Sequence, residues 1–145
     1  MLFVVVEFFR VALDRSHPLL AAQLSNPDKR VVIVYGDGSF GLNGFEYDTA
    51  VRFDLPIIGV VGNDGAWGQM LRPQGAVYGW DRLAATVLNR TRYDKVVEAL
   101  GGHGELVTEP GEIGPALERA FASGKPACVN VMMRQDREFG GGIYV

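Results

Sequence analysis

The chain has 145 residues, one domain's worth, of which 48% are hydrophobic and 21% charged, a profile that excludes disorder, a fibrous repeat and a multidomain machine within these residues. Its 14 basic and 17 acidic side chains leave a formal charge of −3, which removes the basic footprint that nucleic-acid binding needs. A single cysteine, Cys128, excludes an intrachain disulfide and reads as a small buried residue in a reducing compartment.

The opening residues 1–13 are apolar but interrupted by Glu7 and Arg10. They fall short of the about 20 residues of a membrane helix and lack the positive start and small-residue cleavage site of a secretory signal. The expected address is the cytoplasm. Residues 31–35 (VVIVY) form a β-branched run that stops at Gly36-Asp37-Gly38, as a buried parallel strand does. Leu42, Phe45, Thr49, Ala50 and Phe53 then recur at helical spacing, with Pro56 beyond the end. Residues 57–61 make a second short strand, closed by Gly62-Asn63-Asp64-Gly65. Gly68, Pro73, Gly75 and Gly79 break up residues 66–91, which read as a long functional loop with a short helix near 82–88. Tyr93, Val96, Val97 and Leu100 mark a helix that ends at Gly101-Gly102, with a strand near 105–107 after it. Ile113, Ala116, Leu117, Ala120 and Phe121 match an amphipathic helix between Pro110 and Gly124, and 127–132 supply a last strand. Alternating strands and helices predict an α/β fold of three layers, α/β/α, around a mostly parallel sheet.

Ligands in such a sheet bind beyond the carboxyl ends of its strands, where two unusual turns stand: Gly36-Asp37-Gly38-Ser39-Phe40-Gly41 and Gly62-Asn63-Asp64-Gly65-Ala66. Residues 36–41 satisfy G-x-G-x-x-G, and Asp64 falls where a ribose-binding acid would stand, so a dinucleotide-binding Rossmann domain is one reading. Against it, Asp37 lies between the two glycines where backbone must approach a pyrophosphate. Like charges about 4 Å apart repel by roughly 4 kcal/mol at an effective dielectric near 20. A magnesium ion reverses that sign and turns Asp37 into a bridge to a diphosphate. Asp64, 27 residues after Asp37, is far enough along for one crossover helix and one strand, so the two carboxylates can meet. Gly36, Gly38 and Gly41 allow close backbone approach, and the amides of Gly38 and Ser39 can donate to phosphate oxygens.

Residues 36–69, GDGSFGLNGFEYDTAVRFDLPIIGVVGNDGAWGQ, resemble the thiamine diphosphate motif of the acetolactate synthase, oxalyl-CoA decarboxylase and 2-hydroxyacyl-CoA lyase superfamily. That motif runs Gly-Asp-Gly, about 27 residues, then a pair that is usually Asn-Asn. The resemblance implies magnesium ligands at Asp37, Asp64 and the main-chain carbonyl of Ala66, with Asn63-Asp64 in place of the usual pair. It further implies that Gly36, Gly38, Ser39 and Trp67 contact the cofactor, with Gln69 a weaker candidate beside Trp67. The likeness continues through EALGGHGELV and GPALERAFASGKPACVNV and covers residues 21–145, the expected cofactor-binding domain. Residues 1–20 lack the family's glycine-rich turn and read as divergent, rearranged or truncated.

In that family the catalytic glutamate belongs to a separate pyrimidine-binding domain, usually contributed across a subunit interface. The resemblance therefore implies no catalytic residue in this chain, an oligomer or second domain as partner, and a lyase or transferase inactive in isolation. The implied substrates are 2-oxo acids or acyl-CoA derivatives. A non-catalytic remnant of such an enzyme is the other reading. Ser39 either touches phosphate or caps the helix, and Asn63 structures its turn. His103 reads as a solvent-facing turn residue, Glu46 as a local helix partner, and Met132 and Met133 as sheet-face residues.

Overall fold

In the computed structural model, which describes residues 2–6 and 16–135, the β-branched runs become strands of one fully parallel sheet. Five strands, β1 (Leu2–Val6), β2 (Arg30–Gly36), β3 (Ile58–Asn63), β4 (His103–Val107) and β5 (Ala127–Met132), lie in the order β1-β2-β3-β5-β4. Residue 1 and residues 7–15, half of the segment expected to diverge, lie outside the described residues, as do residues 136–145. Within that segment Leu2–Val6 pairs in parallel with β2 as an edge strand.

Alternate residues of each strand face opposite sides of the sheet, and two cores form accordingly. Val31, Ile33, Ile57, Val61 and Cys128 pack on one face with Leu19 and Leu20 of α1 (Ser16–Ser25), Phe40 of α2 (Asp37–Asn43), Tyr47 and Ala50 of α3 (Glu46–Arg52) and Val97 of α5 (Tyr93–Ala99). Val32, Ile58, Val107, Ala127 and Val129 pack on the other with Ala116 and Ala120 of α6 (Ile113–Ala122). The remaining helix, α4, spans Gly68–Tyr78. The expected three-layer α/β/α arrangement is thus present. Burial of the Cys128 thiol raises its pKa, which keeps it an inert core residue.

Several local expectations change. The pattern 42–53 gives two helices, α2 and α3, separated at Gly44-Phe45, where a Cβ on Gly44 would overlap the Phe40 ring. Residues 66–91 are no featureless loop, because α4 occupies 68–78, and 82–91 form a non-helical strap in place of the helix expected near 82–88. Gly75 sits beneath the Trp80 ring, with its Cβ position 2.5 Å from Cε3, so that glycine serves packing within α4. The strap's backbone is satisfied by Gln74, which bonds both polar groups of Ala84, and by an antiparallel bridge between Ala66 and Val87. His103 opens β4 and bonds Glu105; it is not a turn residue. Pro110 starts a 3₁₀ turn (Pro110–Glu112) that leads into α6.

One glycine tests the packing. At Gly59 in β3 a Cβ would overlap the Tyr47 hydroxyl and lie 2.6 Å from that of Tyr35, two phenols bonded to each other at 3.0 Å. Overpacking of this kind costs about 1–3 kcal/mol and occasionally more. Gly59→Ala is expected at the upper end, about 3 kcal/mol, measured as a lowered urea midpoint with an unchanged slope.

Candidate functional site

The register of the sheet assembles the site. Gly36 pairs with Gly62 across β2 and β3, so the chain leaves the two adjacent strands side by side at their carboxyl ends. Asp37 and Asp64 then enter one cleft of about 350 Å³, lined also by Gly36, Gly38, Ser39, Ala66, Trp67 and Gln69. Of the residues that the sequence nominated for cofactor or metal, all but Gly41 therefore line a single cleft. His103 stands apart on β4, at the far edge of the sheet, and Asn63 does not line the cleft.

Asp37 is 1% exposed and opens α2, with no loop between it and the strand. Its Oδ1 accepts from the Gly38 amide at 2.9 Å, and its Oδ2 from the amides of Gly65 at 2.9 Å and Ala66 at 3.2 Å. The first turn is thereby tied to the second. Gly38, expected to offer its amide to phosphate, donates to Asp37. Burial, then the negative charge of Asp64, push the Asp37 carboxyl above the ordinary carboxylate range, and the three amides only partly offset this. Burial likewise raises Asp64, against the Ala66 amide and the charges of Arg72 and Arg90. Two carboxyls in one cleft, both disfavoured as anions, can be relieved by a proton or by a cation.

The Ala66 carbonyl is set by the strap. Bonds from Trp67 N–H to the Thr86 carbonyl (2.9 Å) and from Leu88 N–H to the Gly65 carbonyl (2.8 Å) flank the Ala66–Val87 bridge. A bridge of this kind turns Ala66's own N–H and C=O away from Val87. That N–H reaches Asp37 and Asp64, so its carbonyl shares their side. The Gly65 carbonyl is occupied by Leu88 and by Gln135 Nε2 at 3.2 Å.

Trp67 packs and lines the cleft at once. Its ring covers Gly38, where a Cβ would stand 2.7 Å from Cε3, and it walls the cleft. Ser39 lies within the first turn of α2, whose N-cap is Gly36, so it lines the cleft without capping. Val34, Tyr35, Gly62, Gly68, Arg72 and Met133 also line it. Arg72 escaped the sequence reading because its place one turn after Gly68 has meaning only on a helix. Met133, read as a sheet-face residue, follows the end of β5 and forms part of the rim.

Among the described residues no group of three or more histidine, cysteine, aspartate or glutamate side chains converges to cage a metal. Two carboxylates and a carbonyl are too few for a closed site. They suit a hard ion such as magnesium, which is held by one or two carboxylates and takes its other oxygens from phosphate and water. The cleft's volume is at the low end of the roughly 300–1,000 Å³ usual for ligand sites, as half of a shared site would be. Among the described residues no helix is long and apolar enough to cross a membrane.

Residues 17–131 match the family described as thiamine pyrophosphate enzyme, C-terminal TPP binding domain. The chain is 54% identical over 113 residues to the acetolactate synthase large subunit of Mycobacterium tuberculosis, a stretch that covers 78% of this chain and 20% of that protein. It is 38% identical over 132 residues to 2-hydroxyacyl-CoA lyase 2 of Caenorhabditis elegans, covering 87% of this chain and 20% of the relative. The fold matches that of a thiamine diphosphate-dependent 4-hydroxybenzoylformate decarboxylase of Rhodococcus jostii with a TM-score of 0.73 at 22% identity, covering 83% of this chain and 23% of that one. The chain spans about a fifth of the length of these curated relatives.

Proposed function

The chain belongs to the thiamine pyrophosphate enzymes, matching their C-terminal TPP-binding domain, and on that premise we propose that it is the magnesium and diphosphate half of a decarboxylase, carboligase or carbon–carbon lyase. The observation that carries this reading is the buried Asp37 carboxyl beside Asp64 at the ends of neighbouring strands. Asp37, Asp64 and the Ala66 carbonyl hold the ion. The backbone at Gly36 and Gly38 and the Ser39 side of α2 bound the space for the diphosphate, and Trp67 shields it. Thiamine diphosphate, when bound, supplies a thiazolium ring that acts as an electron sink for making or breaking a bond next to a carbonyl. This chain's residues bind, orient and exclude water; none of the cleft's groups is placed by the reading as the proton-transfer residue. A pyrimidine-binding domain, in trans or in a second subunit, completes the site. The relatives' names support 2-oxo acids or acyl-CoA derivatives as substrates. Turnover by the isolated chain is not expected.

The test is calorimetric titration of the chain with thiamine diphosphate, with magnesium and again after chelation. Binding should require the ion. Affinity that survives complete chelation would overturn the reading, since the two carboxylates would then repel the diphosphate they are proposed to hold.

A further inference from the structure

Behind the second turn lies a buried polar cluster whose side chains do not line the cleft. Asn63 and Asn130 are fully buried and Asp94 is 1% exposed; none lines the cleft. Asn63 Nδ2 donates to Asn130 Oδ1 at 3.1 Å and to the Thr91 carbonyl at 2.8 Å. Asn130 Nδ2 donates to Asp94 Oδ1 at 3.0 Å and to the same carbonyl at 3.3 Å. Arg92 closes the cluster with a forked bond to Asp94, at 2.6 Å from Nη2 to Oδ2 and 3.0 Å from Nε to Oδ1. The end of β3 and the middle of β5 thus converge on the carbonyl of Thr91, and the first turn of α5 holds Asn130 in place through Asp94.

Thr91 ends the strap that grips the second turn. Leu88 bonds Gly65, Thr86 bonds Trp67, and Arg90 Nη2 reaches the Met133 carbonyl at 2.8 Å. Gly65, at φ +72°, lies against Leu88 and Arg90, and its amide and that of Ala66 hold Asp37 Oδ2. Hydrogen bonds from Asp94 through Asn130 to Thr91, the backbone from Thr91 back to Leu88, and the bonds of Leu88 to Gly65 and of Gly65 to Asp37 therefore link the cluster to the Asp37 carboxylate. Buried polar groups in apolar surroundings are costly unless fully bonded. Among the described residues Asn63 Oδ1 has no hydrogen-bond partner, so this cluster is not the least costly way to fill a core.

We propose that Asn130 and Asp94 are positioning residues: they clasp the strap through Thr91 and Asn63, and so fix Asp64 and the Ala66 carbonyl where a cation can bind Asp37 as well. This rests on the cation reading above. Supporting residues of metal sites commonly govern 10- to 100-fold in affinity, and the clasp is assigned an effect of that order.

The test uses the full chain and two variants, Asn130→Val, which suits a buried strand, and Asp94→Asn, which keeps the shape if the first folds poorly. Amide hydrogen exchange is followed without cation, and manganese affinity is measured with thiamine diphosphate present. Exchange at Gly65 and Ala66 should rise at least tenfold while Val60 and Val129 in the strands stay protected, and manganese should bind at least tenfold more weakly. Variants that bind manganese as the parent does, with Gly65 and Ala66 still protected, would overturn the proposal and leave the cluster as core alone. If the unaltered chain binds no manganese, the functional reading fails and this one with it. That outcome is distinguishable because parent and variants are then equally silent.

Discussion

Asp37→Asn is expected to weaken magnesium-dependent thiamine diphosphate binding by more than about 100-fold, roughly 2.8 kcal/mol at 1.4 kcal/mol per tenfold, and to leave the cation-free protein about as stable as before. Asparagine keeps an oxygen for the Gly65 and Ala66 amides, which Asp37 Oδ2 now satisfies, and gives up only the bond that Oδ1 accepts from the Gly38 amide. It removes the charge that burial and Asp64 oppose. Alanine is a poorer probe, because it would strand those buried donors at a cost of about 1–3 kcal/mol and confuse lost binding with lost stability. Calorimetry for affinity and thermal melting for stability separate the two effects. Loss of both together would mean that Asp37 holds the turns and not the ion.

Cation and pH should act on stability in opposite senses. Asp37 and Asp64 have folded-state pKa values raised above 3.8, so the folded protein binds these protons more tightly than the unfolded chain does. Their contribution is fully present below about pH 4 and is lost as pH rises through the raised values. Asp94 and Glu105, held below the ordinary range, have the opposite slope, so the informative quantity is the difference between the parent and Asp37→Asn. Without cation that difference should grow in the variant's favour from pH 4 to 7. At neutral pH, magnesium and thiamine diphosphate at about 100 times Kd should then stabilise the parent by about 2.7 kcal/mol, a melting shift of roughly 10 °C for a chain of this size. The variant should show no such shift, and of the pH trend it should keep only the part that belongs to Asp64.

Why some of this was legible in the sequence and some was not follows from the range of the interactions. The strands at 31–35 and 57–61 declare themselves by β-branched composition and by glycines at their ends. Once they are parallel neighbours, the 27-residue spacing of Asp37 and Asp64 puts both at one edge. The helix α4 was hidden because its punctuation has local causes. Gly75 makes room for Trp80, Gly79 ends the helix at φ +96°, and Pro73, exposed, removes one bond to the carbonyl of Gln69, which is exposed too. The strap at 82–88 reads as helical only until its partners, Gln74 and Ala66, are known. Asn63 and Asn130 are 67 residues apart, and nothing in either neighbourhood announces that β3 and β5 will lie side by side. The folding of Asp37 onto its own Gly38 amide and the rim position of Met133 are likewise tertiary facts.

The most direct measurement is a crystal of the chain grown with manganese and thiamine diphosphate, with the ion located by its anomalous scattering. The account predicts one peak in the cleft within roughly 2.0–2.3 Å of a carboxylate oxygen of both Asp37 and Asp64, the distance of a hard divalent ion from oxygen ligands. A peak bound to only one of the two, or cofactor density in the cleft with no ion between its phosphates and Asp37, would contradict it.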